Sequence, residues 1–240
     1  MNTERHSILV GLIGIVTIMV FGTRPYPVRA EGSREKKLAE AAEQSARAAQ
    51  AFDAIMQIPD KSIPRDLLSR AKAVAVFPRV VKVALTFGGE GGRGVVSRHT
   101  GDGWSNPVFL RGGGASWGAQ VGASSTDYFL LLMNDESVEG LMRDKFELGG
   151  EAGVAAGPVG RNAGAGTDAL MHAAVLSYSR SRGLFAGANL KGVVVRPEDD
   201  LNTAVYGHTA RELLSDSGTG ESASDALQAF PDALRRYENP

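Results

Sequence analysis

Of the 30 glycines in this chain, 20 fall between Gly88 and Gly166, interleaved with short runs of valine, phenylalanine, leucine and tyrosine. Glycine in a helix interior costs about 1 kcal/mol relative to alanine, so a segment this rich in it cannot be mainly helical. It fits strands joined by turns, bulges and close backbone approaches. Strands are predicted near 81–87, 93–99, 104–111, 115–123, 127–133, 148–157, 170–180 and 183–195, with an earlier one at 73–77 that Pro78 should end. His99-Thr-Gly-Asp-Gly103 reads as a hairpin turn, since Asp-Gly supports positive φ. Tyr128 to Met133 is apolar without alternation, as in a strand covered on both faces.

Helices flank this region. Leu38, Ala42, Ala49, Phe52 and Met56 recur near helical spacing, which predicts a helix over 34–57, alanine-rich on its inner face and packed on the domain. Ser62 is a candidate cap for a short helix with Pro64 in its first turn, running to Ala71. Further helices are expected over 136–145, 202–214 and 224–237, the last after a linker at 215–222. The fold class is therefore α+β: a curved, glycine-rich, mainly antiparallel sheet, barrel- or sandwich-like, with helices at both ends of the chain.

The first thirty residues differ in kind. Arg5 precedes an apolar block from Ile8 to Phe21, and a polar stretch ends in Val28-Arg29-Ala30. This is the pattern of a secretory signal, and the block is shorter than the roughly 18 to 20 residues that span a membrane. Residues 1–30 are assigned as a signal peptide, 31–215 as one domain and 216–240 as a C-terminal linker and helix. The chain is expected to be exported to a periplasm, with membrane association there.

Residues 31–240 carry 23 basic against 26 acidic side chains, a net charge of −3. A mildly acidic chain is a poor nucleic-acid binder, so no such partner is expected. There is no cysteine, which removes disulfides, thiolate metal sites, thiol nucleophiles and an acylated lipoprotein cysteine.

Motifs that point to catalysis or cofactors are weak. Gly89-Glu-Gly-Gly-Arg-Gly94 fits a dinucleotide fingerprint, but a strand-like stretch follows where that motif needs a helix, so it reads as a glycine-rich turn. Gly114-Ala-Ser116-Trp-Gly118 fits a nucleophile elbow, with His172 and His208 as formal triad partners, yet the residues after it have little helical character. No two of the four histidines, His6, His99, His172 and His208, have metal-ligand spacing. No catalytic set, metal site or cofactor is assigned. Among the basic residues, Arg79, Lys82, Arg93 and Arg98 lie close in sequence, and on one strand Arg93 and Arg98 should face opposite ways.

Several blocks occur in order: Ala75-Val-Phe-Pro78-Arg-Val80, Gly91-Gly-Arg-Gly94, Trp104-Ser-Asn-Pro107, Gly118-Ala-Gln-Val-Gly122 and Ala156-Gly-Pro-Val-Gly160. Tyr178-Ser-Arg-Ser-Arg-Gly183-Leu-Phe-Ala-Gly187 and Tyr206-Gly207 complete them. From about residue 38 to 214 the chain resembles the SYLF domain, also called the Ysc84 actin-binding domain. The resemblance implies a non-enzymatic, lipid-binding domain that recognises anionic phospholipid or a membrane surface. In relatives the basic N-terminal part is implicated in membrane contact, and Arg34, Lys36, Lys37 and Arg47 are its counterparts by position and character. Arg79, Lys82 and Arg93 complete the candidate lipid-binding set. Some eukaryotic relatives bind actin, which is not expected as a partner in a bacterial periplasm. The alternatives are an envelope structural or protein-interaction module and, more remotely, a serine hydrolase using Ser116.

Overall fold

The computed structural model describes residues 28–84, 88–101, 103–116, 122–150, 152–160, 172–215 and 224–238. The apolar block of the signal, Trp117 and most of the 215–222 linker lie outside the described residues. Among the described residues, no helix is long and apolar enough to cross a membrane.

Helix α1 (Val28–Met56) begins three residues before the expected mature start at Glu31. Its inner face is a stripe of small and apolar residues, with Ala41, Ala48, Phe52 and Ile55 fully buried. The polar residues in that stripe are satisfied. Gln44 Nε2 donates to the Gly94 carbonyl at 2.9 Å, and Ser45 Oγ donates to the Leu227 carbonyl at 2.6 Å. Helix α2 (Arg65–Arg70) starts after Pro64 with no side-chain cap. Ser62 therefore does not cap it; the Ser62 carbonyl instead accepts from Gly160 N at 3.1 Å.

The sheet contains β1 (Ala73–Ala84), β2 (Gly88–Thr100), β3 (Gly103–Trp104), β4 (Val108–Ser116), β5 (Gly122–Leu132), β6 (Phe146–Glu147), β7 (Val154–Ala156), β8 (Val175–Ser181), β9 (Leu184–Gly187) and β10 (Val194–Pro197). Its order is β6-β10-β4-β2-β1-β5-β8-β7, with β3 beside β2 and β9 beside β8. All pairs are antiparallel except β7 with β8. The sheet curls into an open half-barrel. The expected α+β class, the curved antiparallel sheet and the terminal helices are all present.

Strand β1 runs through Pro78 instead of ending there, so the separate strands expected at 73–77 and 81–87 are one. Pro78 and Arg79 together oppose the single residue Asp127. Arg79 takes a left-handed φ of 54°, and its N–H donates to Asp127 Oδ1 at 2.8 Å. Such a bulge places proline, which has no N–H, where the ladder requires none. The fingerprint-like glycines at 89–94 also lie within a continuous strand, β2, and not in a turn. The hairpin at 99–103 is present, with Thr100 paired to Gly103.

The middle of the sheet is covered on both faces. In β5, Phe129 and Leu131 face one core with α1, while Tyr128, Leu130 and Leu132 face a second. The first core is closed by α6 (Ala229–Glu238), where Phe230 and Tyr237 meet Phe52 edge-on. The second is closed by α3 (Asp135–Leu141) and α5 (Ala210–Leu213). The helix expected over 202–214 is two helices. α4 (Asp199–Tyr206) ends at Gly207, whose φ of 75° gives a left-handed C-cap, and Thr209 then opens α5 with a reciprocal capping box to Glu212. The strand expected over 183–195 is likewise split into β9 and β10.

The Tyr178-to-Gly187 block is a packing device. Arg182 and Gly183 both have positive φ (51° and 78°), as a two-residue primed turn requires, so β9 folds straight back on β8. Tyr178 stacks on Phe185 at 5.6 Å, and a Cβ on Gly157 would lie 2.0 Å from the tyrosine ring. A Cβ on Gly187 would lie 2.3 Å from the Gly157 carbonyl oxygen, a backbone atom with little room to yield. Gly187→Ala is therefore expected to cost about 1–3 kcal/mol in urea unfolding. Gly91→Ala, whose new methyl would approach nothing nearer than 4.0 Å, should stay within about 0.5 kcal/mol of wild type.

Candidate functional site

Cross-strand register assembles the site. Arg93 on β2 pairs with Arg111 on β4, and Arg111 pairs with Arg196 on β10. Arg93 is two residues from Val95 and Arg111 two from Phe109, both in the first core, so the row lies on the helix-bearing face. Neighbouring strands are about 4.8 Å apart, which brings three guanidinium stems side by side. Like charges directly opposite one another destabilise a sheet unless a counter-charge is supplied.

Glu198 supplies it. The residue follows β10 and stands at the N-cap of α4, its N–H donating to the Phe109 carbonyl at 3.0 Å. Its side chain is only 1% exposed, and Oε1 accepts from Arg93 Nη2 at 2.8 Å and Arg111 Nη2 at 2.7 Å. Oε2 has no partner among the described residues. This contact holds the Arg111 guanidinium above its ordinary range. Glu40 of α1 takes a second bond from Arg93 and also pairs with Lys37 at 3.8 Å. The hydrogen bond from Arg93 is the main reason the Glu40 carboxyl is held below the usual carboxylate range.

The row is asymmetric in exposure. Glu198 is buried beneath it, whereas the Arg111 side chain is 56% exposed and Arg196 is exposed. Among the described residues, the Arg196 guanidinium has no hydrogen-bond or ion-pair partner. Arg111 and Arg196 line a cleft of about 670 Å³ with Gly112, Gly113 and the start of α4. Beside the arginines, Gly91, Gly113 and Val194 form the next row on the same face, and two of these three have no side chain. On the α4 side, Asp199 Oδ1 accepts from Ala210 N at 2.8 Å, while Asp200 is exposed. Chemically, the row presents cationic donors over a backbone floor, which suits a phosphate-bearing group.

The structure brings together three of the residues singled out from the sequence: Lys36 and Lys37 approach Arg93 through the shared carboxylate of Glu40. Arg34 is exposed one turn earlier on α1. Arg47 lies farther along that helix and is bonded to Glu43. Arg79 is exposed at the β1 bulge, and Lys82 sits farther along β1 in register with Glu90 and Ser124. Arg98 faces away from Arg93, as alternation requires; it is buried, and donates to the Leu214 carbonyl at 2.5 Å and to Asp135 at 3.2 Å. Sequence reasoning missed Arg111 and Arg196. Both are isolated basic residues in sequence, and only register reveals them as neighbours of Arg93.

The other candidates have structural surroundings. His99 bonds Glu238 at 2.5 Å and meets Trp104 edge-on, while Trp104 donates to the same carboxylate at 2.8 Å. His208 lies 3.7 Å from Glu212, and His172 is exposed. Ser116 is the last residue of β4, and Gly122 opens β5; the residues between them lie outside the described set. Among the described residues, no group of three or more acidic or histidine side chains is placed to hold a metal ion.

A family model described as Ysc84, Las17-binding protein actin regulator, matches residues 113–237. The chain belongs to this family. It is 36% identical over 174 residues to Protein YSC84 of Saccharomyces cerevisiae, covering 70% of this chain and 37% of that protein. It is 37% identical over 162 residues to LAS seventeen-binding protein 3 of the same organism, covering 65% of this chain and 35% of the relative. With human SH3 domain-containing YSC84-like protein 1 it shares 32% identity over 186 residues, 75% of this chain and 54% of the relative. The chain thus spans about a third to a half of the length of these relatives. The family match covers Arg196, Glu198 and all of α6 but its last residue, and starts two residues after Arg111.

Because the folded-state pKa of Glu40 is lowered, its contribution to stability is present above the ordinary value of 4.5 and lost as pH falls through the folded value. Arg93→Ala should return the Glu40 carboxyl toward its ordinary value in a carboxyl NMR titration, and Glu40→Gln should remove that part of the acid-side loss of stability.

Proposed function

We propose that this member of the Ysc84 family is an exported lipid-binding domain that docks on anionic phospholipid through the Arg93–Arg111–Arg196 row. The observation that carries the reading is the exposure asymmetry of that row: the balancing carboxylate of Glu198 is buried, while Arg111 and Arg196 remain open to a ligand. Lys36 and Lys37 add positive charge where α1 meets Arg93. Each basic side chain close to an anionic surface contributes about 1 kcal/mol, and the attraction weakens with salt. The chain as a whole is mildly acidic, so a local patch and not net charge must provide the attraction. The N-terminal pattern supports a periplasmic site of action. The role is binding and not catalysis.

A second reading, a protein-interaction module, is favoured by the names of the relatives, which describe Las17 binding. The outermost strands of the sheet path, β6 and β7, are two and three residues long. They offer little edge for an added strand, so such a partner would need to engage the helices or the arginine cleft.

Co-sedimentation with phosphatidylcholine vesicles, with and without phosphatidylglycerol, across a salt series tests the lipid reading. Binding is expected only with the anionic lipid and should fall as salt rises. The double variant Arg111→Ala/Arg196→Ala should weaken it about thirtyfold, at about 1 kcal/mol per arginine. Binding that ignores lipid charge at every salt concentration, or that is unchanged in the double variant, would sink this reading.

A further inference from the structure

Beyond the arginine row, the sheet changes character. Strands β1, β2, β4 and β5 continue past it in register, and on the helix-bearing face the next row is Ser125, Val81, Gly91, Gly113 and Val194. The helix layer does not cover this end: Ser125 and Gly91 are exposed and Val81 is 48% exposed. The β8–β9 turn lies toward the same end, about level with Ser125, while β1, β2, β4 and β5 run on to Ala84, Gly88, Ser116 and Gly122. Leu184 pairs with Ser181, which continues the row of Thr126 and Val80. Leu184 is 79% exposed, and with Val81 it is one of the two large apolar side chains left exposed among the described residues. The two face opposite ways, Val81 with the arginine row and Leu184 with Val80.

Neither residue has an obvious place in the fold's own packing. A single exposed leucine is ordinary on a protein surface and by itself marks nothing. Here it sits among cations. Arg182 is exposed within the turn, and Arg79 is exposed at the bulge. Arg180, next to the turn, is bound to Asp127 at 2.8 Å, and the same carboxylate accepts from the Arg79 N–H. The turn itself is stiff, because both of its central residues hold the positive φ of a primed turn. The opposite end of β5 leads into α3, where Asp135, Glu136 and Glu139 are exposed. The exposed large apolar side chains among the described residues therefore lie at the glycine-rich end, whereas at the α3 end Asp135 is paired with Lys72 and Arg98.

We infer that the β8–β9 turn is the part of the domain that enters a bilayer, with Leu184 at acyl-chain level and Arg182 and Arg79 level with the lipid phosphates. This rests on the lipid-binding reading and adds to it a second element, toward the same end of the sheet as the arginine row but on the other face. The occupant is an anionic phospholipid bilayer and not a folded protein. A single convex leucine rimmed by arginines offers no concave, broad apolar patch of the kind a protein interface needs. It does match the interfacial pattern of an apolar tip with basic side chains reaching back to headgroups. Entry of the turn directs the α3 end away from the surface.

The absence of cysteine allows a single-site probe. In the full chain, Leu184→Cys labelled with an environment-sensitive nitrobenzoxadiazole dye is titrated with phosphatidylglycerol-containing vesicles, beside Glu136→Cys labelled in the same way. The Leu184 probe is expected to brighten severalfold, shift to the blue and be quenched by nitroxide-bearing lipid, while the Glu136 probe stays unchanged. Unlabelled Leu184→Ser, a change at an exposed position that should leave folding intact, is expected to weaken vesicle binding about fivefold. If the wild type binds these vesicles but the Leu184 probe is silent and Leu184→Ser binds equally well, the turn is not the docking element and the lipid reading survives. A response from Glu136 alone would reverse the orientation. If the wild type binds no anionic vesicle, the lipid reading falls and this inference falls with it.

Discussion

A strand whose side chains are apolar on both faces must be covered on both faces, and that demand at β1 and β5 organises the molecule. Val74 and Val76 need one core, while Ala73, Ala75 and Phe77 need another. Helices α1 and α6 answer the first demand, and α3 and α5 answer the second. The close approach of α1 depends on its alanines, because Ala41 and Ala48 let the helix axis sit near the sheet. The glycines of the sheet serve the same end on the other side. A Cβ at Gly94 would fall 2.3 Å from the Phe77 ring, so that ring packs where a side chain would otherwise stand.

Where coverage stops, the chemistry of the sheet changes. The helix layer gives out near Glu40 and Glu198, and there the facing positions become Arg93, Arg111 and Arg196. A row of like charges at that boundary is tolerable because one carboxylate is buried directly beneath it, held by the N-cap of α4 and a backbone bond to β4. The same contact ties β2, β4, β10 and α4 together. Structure and candidate function therefore share one feature: the carboxylate that makes the row stable is buried beneath it and leaves Arg111 and Arg196 exposed.

Much of this family's sequence signature proves to be architectural. Tyr178, Phe185, Gly157 and Gly187 form one interlocked unit, and burial raises the Tyr178 hydroxyl well above the ordinary phenol range. Tyr206 is raised by burial too, and its hydroxyl donates to the Pro107 carbonyl at 2.7 Å. These residues position the arginine row and the β8–β9 turn without being part of either. Such a division is common: the scaffold needs close fit, whereas recognition needs exposed charge on a rigid support.

The chain's local chemistry was sufficient for its class. Glycine density excluded helix, helical spacing marked α1, the continuous apolar run of β5 required two cores, and alternation separated Arg93 from Arg98. Local reading failed where a neighbour from elsewhere in the chain changed the outcome. Pro78 does not end its strand because Asp127, from β5, accepts the bulged N–H of Arg79. Arg111 and Arg196 carried no signal, since each lies alone in the sequence and register alone sets it beside Arg93. Composition and period act over a few residues and determine which elements form. A binding surface made from three strands depends on which strands pair and in what register, and only long-range packing decides that.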